Sequence, residues 1–302
     1  MENDLSLGAA WMNGTVIPIS QAAIPVNDWG LVHSDITYDV VPVIDGAFFR
    51  FDEYLARFLS SMENLHLDPG MSKRDIKAAL HQMVSKSRLR DSYVAMVCSR
   101  GKPKIAGSRD PRDCDNHFFA WCVPYVHVIK PEVVEQGATA WIAQNAYRIP
   151  ENSVNPRVKN YHWGDFTQGI FEAKDKNYET VILLDYDGNV TEGPGFNVFA
   201  VKDKVLITPD RGVLAGVSRK TVLEMAEHLG INTSVRSLSV EELLEADEVF
   251  LSSSGGGVIP IIRVNETIFG NGASGPISVQ LNETYWAWTT LEKYRDPIDY
   301  EP

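Results

Sequence analysis

The sequence predicts an α+β protein of two domains, and three observations carry that expectation. The chain has 302 residues, more than one core usually organises at about 100–200 residues per domain. Its halves keep different rhythms: strands flanking two consecutive helices in the first, short apolar runs interleaved with helical patterns in the second. No internal repeat or low-complexity tract is visible, which argues against a solenoid. With 44% hydrophobic and 10% aromatic residues, the composition is that of a globular chain.

The elements follow in order. Ala10–Met12 and Thr15–Pro18 form a hairpin across Asn13-Gly14, a pair that supplies the positive φ of a tight turn. A second hairpin runs from Tyr38 to Ile44, turns at Asp45-Gly46 and returns through Ala47 to Phe51. Asp52–Leu65 sets Tyr54, Leu55, Phe58, Leu59, Met62 and Leu65 at helical spacing, and Ser72-x-x-Asp75 caps a helix over Ser72–Ser87. Strands resume at Tyr93–Ser99 and His117–Val126. Residues 1–125 are thus a small N-terminal domain, and Val126–Gly137, with Pro131 and no clear period, reads as the interdomain connection. In the larger domain, 138–302, strands are expected at Thr139–Ala143, Val181–Leu184, Phe196–Val201, Val205–Ile207, Val249–Ser252 and Ile259–Val264. Helices are expected at Trp163–Ala173, Ser218–Leu229, Ser239–Ala246 with a Ser239-x-x-Glu242 box, and Pro276–Lys293.

Charge narrows the partners. Lys plus Arg number 28 against 40 Asp plus Glu, a net charge of −12, so nucleic acid and anionic lipid are not expected partners. Cys98, Cys114 and Cys122 contain no CxxC, which suggests neither a disulfide framework nor a zinc site and fits a reducing compartment. No secretory signal pattern and no run of about 18 apolar residues is present; a cytoplasmic protein is the expectation. The sequence also lacks GxxxxGK[ST], HExxH and GxSxG motifs.

Four local features carry chemistry. Lys159, in PRVKNYHW, has apolar and aromatic neighbours able to desolvate its amine and make it nucleophilic toward a carbonyl; taken alone it reads equally as a surface lysine with its stem over apolar surface. Glu192 lies in DGNVTEGPGFN, where the glycines let a planar ligand approach the backbone; alone it is a loop carboxylate. Gly212–Ser218 ends at a helix N-terminus suited to an anion, or at an ordinary cap. Ser252–Gly257 (SSSGGG) reads as a turn between strands or as a phosphate cradle.

Together and in this order, VKNYHWGD, TEGPGFNVF, TPDRGVLAGVSRKTV and SSSGGGVIP make the chain resemble the fold type IV family of pyridoxal-phosphate enzymes, from Gly8 to Tyr300. That family includes branched-chain aminotransferases, D-amino-acid transaminases, aminodeoxychorismate lyases and (R)-selective amine transaminases. The resemblance implies a small N-terminal α/β domain and a larger C-terminal α+β barrel-like domain holding pyridoxal 5′-phosphate. It implies that Lys159 bears the cofactor and moves the proton between substrate and cofactor, and that Glu192 pairs with the pyridine nitrogen. Val217, Ser218, Ser253, Ser254 and Arg57 would hold the phosphate.

The run GLVHSDITYDV looks most like the (R)-selective amine transaminases, with His33, Tyr38, Val40, Tyr93, Ala95, Trp163 and Phe196 implied in a largely aromatic substrate pocket. That group uses a loop arginine to hold the keto-acid carboxylate. Its place in the simplest register falls on Ala106, so Arg109 or Lys104 is the candidate if the loop shifts. The implied activity is transfer of an amino group from an (R)-amine to a 2-keto acid such as pyruvate, by a homodimer. D-amino-acid transamination, branched-chain L-amino-acid transamination and a lyase remain the alternatives.

Overall fold

A computed structural model describes residues 4–300. It divides into two compact units, the first running to Val126 and taking in Val158–His162 and the segment from Leu291, the second comprising His127–Arg157 and Trp163–Thr290. The domain expected over 138–302 is therefore interrupted once, at Val158–His162, and ends at Thr290, the segment from Leu291 belonging to the first unit. Both returning segments supply backbone partners to strands of the first unit, and the second unit resumes between them.

In the first unit, β1 (Ala9–Met12) and β2 (Thr15–Pro18) close over Asn13 and Gly14, at φ 52 and 82. The buried Asp28 side chain accepts from Gly30 N and caps a single turn, α1 (Trp29–Val32). The second hairpin joins β3 (Ile36–Ile44) to β4 (Ala47–Phe49) through Asp45 and Gly46, again both at positive φ. Next come α2 (Phe51–Asn64) and α3 (Lys73–Ser87), the latter opened by the expected capping box of Ser72 with Asp75. Long strands β5 (Ser92–Pro103) and β6 (Cys114–Pro124) complete the unit's main run. The seven-stranded antiparallel sheet has the order Arg295–Pro297, β4, β3, β5, β6, β1, β2.

Strand alternation gives this sheet two chemically different faces. One packs under α2, where Phe58 meets Phe118 at a ring separation of 6.1 Å. The other gathers Ile36, Tyr38, Val40, Ala95 and Val97, with Tyr93, Phe119 and Trp121 packed against them. β4 pairs only with the far end of β3, at Val43 and Ile44. The near end is left to a later piece of chain, which bridges Thr37 with Asn160.

The second unit opens with α4 (Pro131–Gln136), inside the stretch expected as a connection, because Val128, Ile129, Val133 and Val134 find apolar partners in this unit's core. There follow β7 (Ala138–Tyr147), α5 (Gly164–Asp175), β8 (Thr180–Leu184), β9 (Glu192–Gly193), β10 (Phe196–Lys202) and β11 (Val205–Thr208). Then come α6 (Val217–His228), β12 (Thr233–Val235), α7 (Val240–Leu244), β13 (Glu248–Ser253), β14 (Gly257–Val264), β15 (Thr267–Ile268) and α8 (Pro276–Trp288). The nine-stranded sheet runs β12-β11-β10-β13-β14-β7-β8, with β9 on β10 and β15 on β14. Its core includes Ile142, Ile182, Phe196, Val198, Leu251 and Ile259.

Two local expectations are modified. Ser239 accepts from Glu242 N, but the Glu242 carboxylate turns to Arg236, so only half of that capping box forms. The last helix stops at Trp288, short of Lys293, because the chain leaves it to pair Arg295–Pro297 with β4.

Candidate active site

Lys159 sits in the first unit on the uncovered edge of β3. Its backbone oxygen accepts from the Thr37 hydroxyl at 2.6 Å and from Tyr38 N at 3.4 Å, while its N–H donates to Ser61 Oγ at 3.3 Å. Backbone pairing thus fixes the position of the lysine, and the side chain reaches over β3. Its Nζ lies 4.6 Å from the centre of the Tyr38 ring, an electrostatic attraction between cation and π-face. Tyr38, Val40, Tyr93 and Ala95, four of the expected pocket residues, all belong to the apolar face just described. Burial, with Tyr38 and Asp39 nearby, pushes the Tyr93 phenol above its ordinary range, so it stays a neutral hydroxyl.

Arg57 projects from α2 toward β3, where its Nε and Nη2 meet Asp39 Oδ2 and Oδ1 at 2.8 and 2.7 Å. Asp39 follows Tyr38 and therefore points to the opposite face of the strand. Burial alone would lower the arginine's pKa, but Asp39 outweighs it and raises it.

In the second unit, Glu192 is buried on β9. Its Oε1 accepts from Arg148 Nε at 3.1 Å, and its Oε2 accepts from Leu214 N at 2.8 Å and from Asn197 Nδ2 at 3.4 Å. Arg148 also donates through Nη1 to Asp165 at 2.6 Å, and its guanidinium stacks 4.3 Å from the Phe166 ring. The carboxylate is thereby held in one orientation, as an acceptor.

The N-terminus of α6 begins at Val217 and Ser218 after Gly216. A Cβ at Gly216 would stand 2.2 Å from Asn197 Oδ1, so only glycine lets the loop approach this closely. Asn197 in turn donates to Leu214 O at 3.0 Å. Ser218 Oγ lies 3.3 Å from the Tyr285 hydroxyl. The SSSGGG run is the turn between β13 and β14, with Ser253 donating to Gly195 O at 2.8 Å and accepting from Gly255 N at 3.1 Å. Ser254 is half-buried in that turn, and Ser252 Oγ is buried without a partner among the described residues.

This donor set fits a phosphorylated pyridine. A helix N-terminus with hydroxyls suits a phosphate dianion, and a fixed buried carboxylate suits a ring N–H. Among the described residues no cluster could hold a metal ion, and no helix is long and apolar enough to cross a membrane.

The other expected site residues are placed less tellingly. Trp163 precedes α5 and meets Phe166 edge-on at 5.4 Å, within the second unit. Phe196 lies in that unit's core beside Gly193, where a Cβ would be 2.2 Å from its ring. His33 is exposed after α1, its ring 4.6 Å from that of Trp29. Ala106 and Arg109 are exposed on the β5–β6 loop, and Lys104 pairs with Asp115 at 3.0 Å. Sequence reasoning passed over Arg148, Asp165 and Tyr161. Nothing local marks Arg148, whereas Tyr161 and Asp165 both stand in the VKNYHWGD motif, and Tyr161 is further marked by lying two residues from Lys159.

The chain matches the amino-transferase class IV family over residues 37–264. Among its relatives, a putative branched-chain-amino-acid aminotransferase of Methanocaldococcus jannaschii is 28% identical, covering 91% of this chain and 94% of that protein. A D-alanine aminotransferase of Bacillus licheniformis is 29% identical over 88% of this chain and 92% of its own. The fold resembles that of a Thermobaculum terrenum branched-chain amino acid aminotransferase solved in its PLP form, with a TM-score of 0.85, 24% identity, and 99% and 100% of the two chains covered. Fold and donor set together define a pyridoxal-phosphate-dependent aminotransferase of fold type IV. The chain belongs to the amino-transferase class IV family.

Proposed function

We propose that this aminotransferase moves an amino group from an (R)-configured primary amine to a 2-keto acid such as pyruvate, in two half-reactions. The observation that carries the reading is the face around Tyr38: Val40, Tyr93, Ala95, Phe119 and Trp121 are apolar or aromatic, and the Lys159 amine stands at its edge. Such a surface suits a hydrophobic substituent on the amine better than a second carboxylate.

Pyridoxal phosphate, when bound, supplies an electron sink for the bond that breaks at the amine-bearing carbon. Lys159 Nζ would hold the cofactor and would act as the general acid–base that moves the proton on and off the substrate carbon. Glu192, steadied by Arg148, Asn197 and Leu214 N, would accept a hydrogen bond from the pyridine N–H and keep that proton in place. The N–H groups of Val217 and Ser218 would bind the phosphate, with Ser253, Ser254 and Arg57 as the further candidates. Arg109 is the candidate for the acceptor carboxylate. A homodimer is the working assembly, a reading supported by the exposed apolar side chains Val26, Leu31, Val32 and Ile105 of the first unit.

A panel of half-reactions tests the substrate class, following loss of cofactor absorbance with (R)-1-phenylethylamine, its (S) enantiomer, D-alanine and L-leucine. The proposal requires the (R)-aryl amine to react fastest. Faster reaction with D-alanine would favour D-amino-acid transamination, the second reading, which the likeness to the D-alanine aminotransferase supports. Preference for L-leucine would overturn the stereochemical assignment. Borohydride should fix the cofactor to Lys159, and Lys159→Ala should lower transamination by roughly 10³-fold.

A further inference from the structure

Tyr161 is the aromatic residue nearest in sequence to Lys159. The bridge between Asn160 and Thr37 extends the chain along β3, and residues two apart on an extended chain project to the same side. Tyr161 stacks on Tyr38 with ring centres 4.0 Å apart and planes 5° from parallel, and the same Tyr38 ring lies 4.6 Å from Lys159 Nζ. Burial, together with the neighbouring phenols of Tyr38 and Tyr93, holds the Tyr161 hydroxyl above its ordinary range, so the residue presents a neutral ring. Tyr38 is 5% exposed, whereas Tyr161 is 36% exposed. The inner ring of the stack is therefore covered, and the outer one offers part of its surface to an incoming molecule.

We propose that Tyr161 sets a preference for aryl over alkyl substituents on the substrate, an inference that rests on the function proposed above. An outer ring with surface to spare can stack against a planar ring held at the lysine. It gives an alkyl chain only ordinary apolar contact. A favourable aromatic pair contributes about 0.5–1.5 kcal/mol beyond its buried area.

The test uses the cofactor-loaded protein as wild type, Tyr161→Leu and Tyr161→Phe. Two readouts are compared: the half-reaction rate ratio for (R)-1-phenylethylamine over (R)-2-aminobutane, and calorimetric binding of 3-phenylpropionate against hexanoate to borohydride-reduced protein, which cannot turn over. Tyr161→Leu should lower the aryl-to-alkyl ratio in both by about 2- to 12-fold, and Tyr161→Phe should restore it. Should the Leu variant fail to fold, Tyr161→Met replaces it with the same expected loss. Unchanged ratios in the Leu or Met variant overturn the proposal while leaving the cofactor assignment standing. Failure of borohydride to fix cofactor on Lys159 overturns both.

Discussion

Replacing Arg148 with Met removes a guanidinium that serves two buried carboxylates at once. Its side chain is 8% exposed, and those of Asp165 and Glu192 are 5% and 6% exposed. Losing one partner of a buried ion pair typically costs about 3–5 kcal/mol, because the partner's charge stays desolvated. Here the lower end applies. Asp165 keeps the N–H groups of Ile149 and Phe166 at 3.0 and 2.8 Å, and Glu192 keeps Leu214 N at 2.8 Å. A loss of about 3 kcal/mol in the second unit corresponds to a fall in melting temperature of roughly 6–12 °C, at about 2–4 °C per kcal/mol for a domain of 150–250 residues. Urea titration and thermal scanning would measure this on wild type, Arg148→Met, Glu192→Gln and the double variant. If Arg148 acts through Glu192, the two changes should couple by at least about 1 kcal/mol. A single variant within about 1 kcal/mol of wild type, or fully additive losses, would refute the account of Glu192 as a carboxylate oriented by this arginine.

Three further outcomes follow from the same structure. Gly216→Ala drives a methyl into Asn197 Oδ1; overpacking costs about 1–3 kcal/mol, and isothermal titration should show weaker pyridoxal-phosphate binding, since the loop before α6 must move. For Asp28, burial pushes the carboxyl up, but Ser99, His117 and Gly30 N outweigh it and hold the pKa below its ordinary value. This contributes stability above the unfolded pKa of about 3.9 that is lost as pH falls through the lower folded value. The stability deficit of Asp28→Asn, read from urea midpoints, should be full at pH 6 and shrink below about pH 4; a pH-independent deficit would contradict it. Burial pushes the Cys98 thiol up to about 12 and also raises Cys122 and Cys114. Ellman's reagent at pH 8 should find no fast-reacting thiol until denaturant is added, when three should appear.

The parts legible in the sequence are those whose causes are local. Asn13-Gly14 and Asp45-Gly46 announce their hairpins because only a few residue types accept positive φ twice in succession. Ser72 with Asp75 announces α3 because donor and acceptor lie three residues apart. The motifs around Lys159, Glu192 and Ser218 were likewise readable as short patterns. What escaped is what the fold brings together from afar. Arg148 meets Glu192 across 44 positions of sequence, and no composition or period marks such a pair. The segment Val158–His162 leaves its sequence neighbours because β4 is too short to cover β3, a vacancy visible only once the sheet is built. The same holds for Arg295–Pro297, which ends a helix earlier than its apolar pattern suggested.

The alternation along β3 also limits how this gene can change in length. Tyr38 stands on the aromatic face and Asp39 on the face that receives Arg57. Inserting or deleting a single residue between Ile36 and Val41 would exchange the two, setting a carboxylate among the rings and a phenol beneath a guanidinium. Both errors are electrostatic as well as apolar, so repacking could not repair them. Within this strand, viable length variants should differ by pairs of residues.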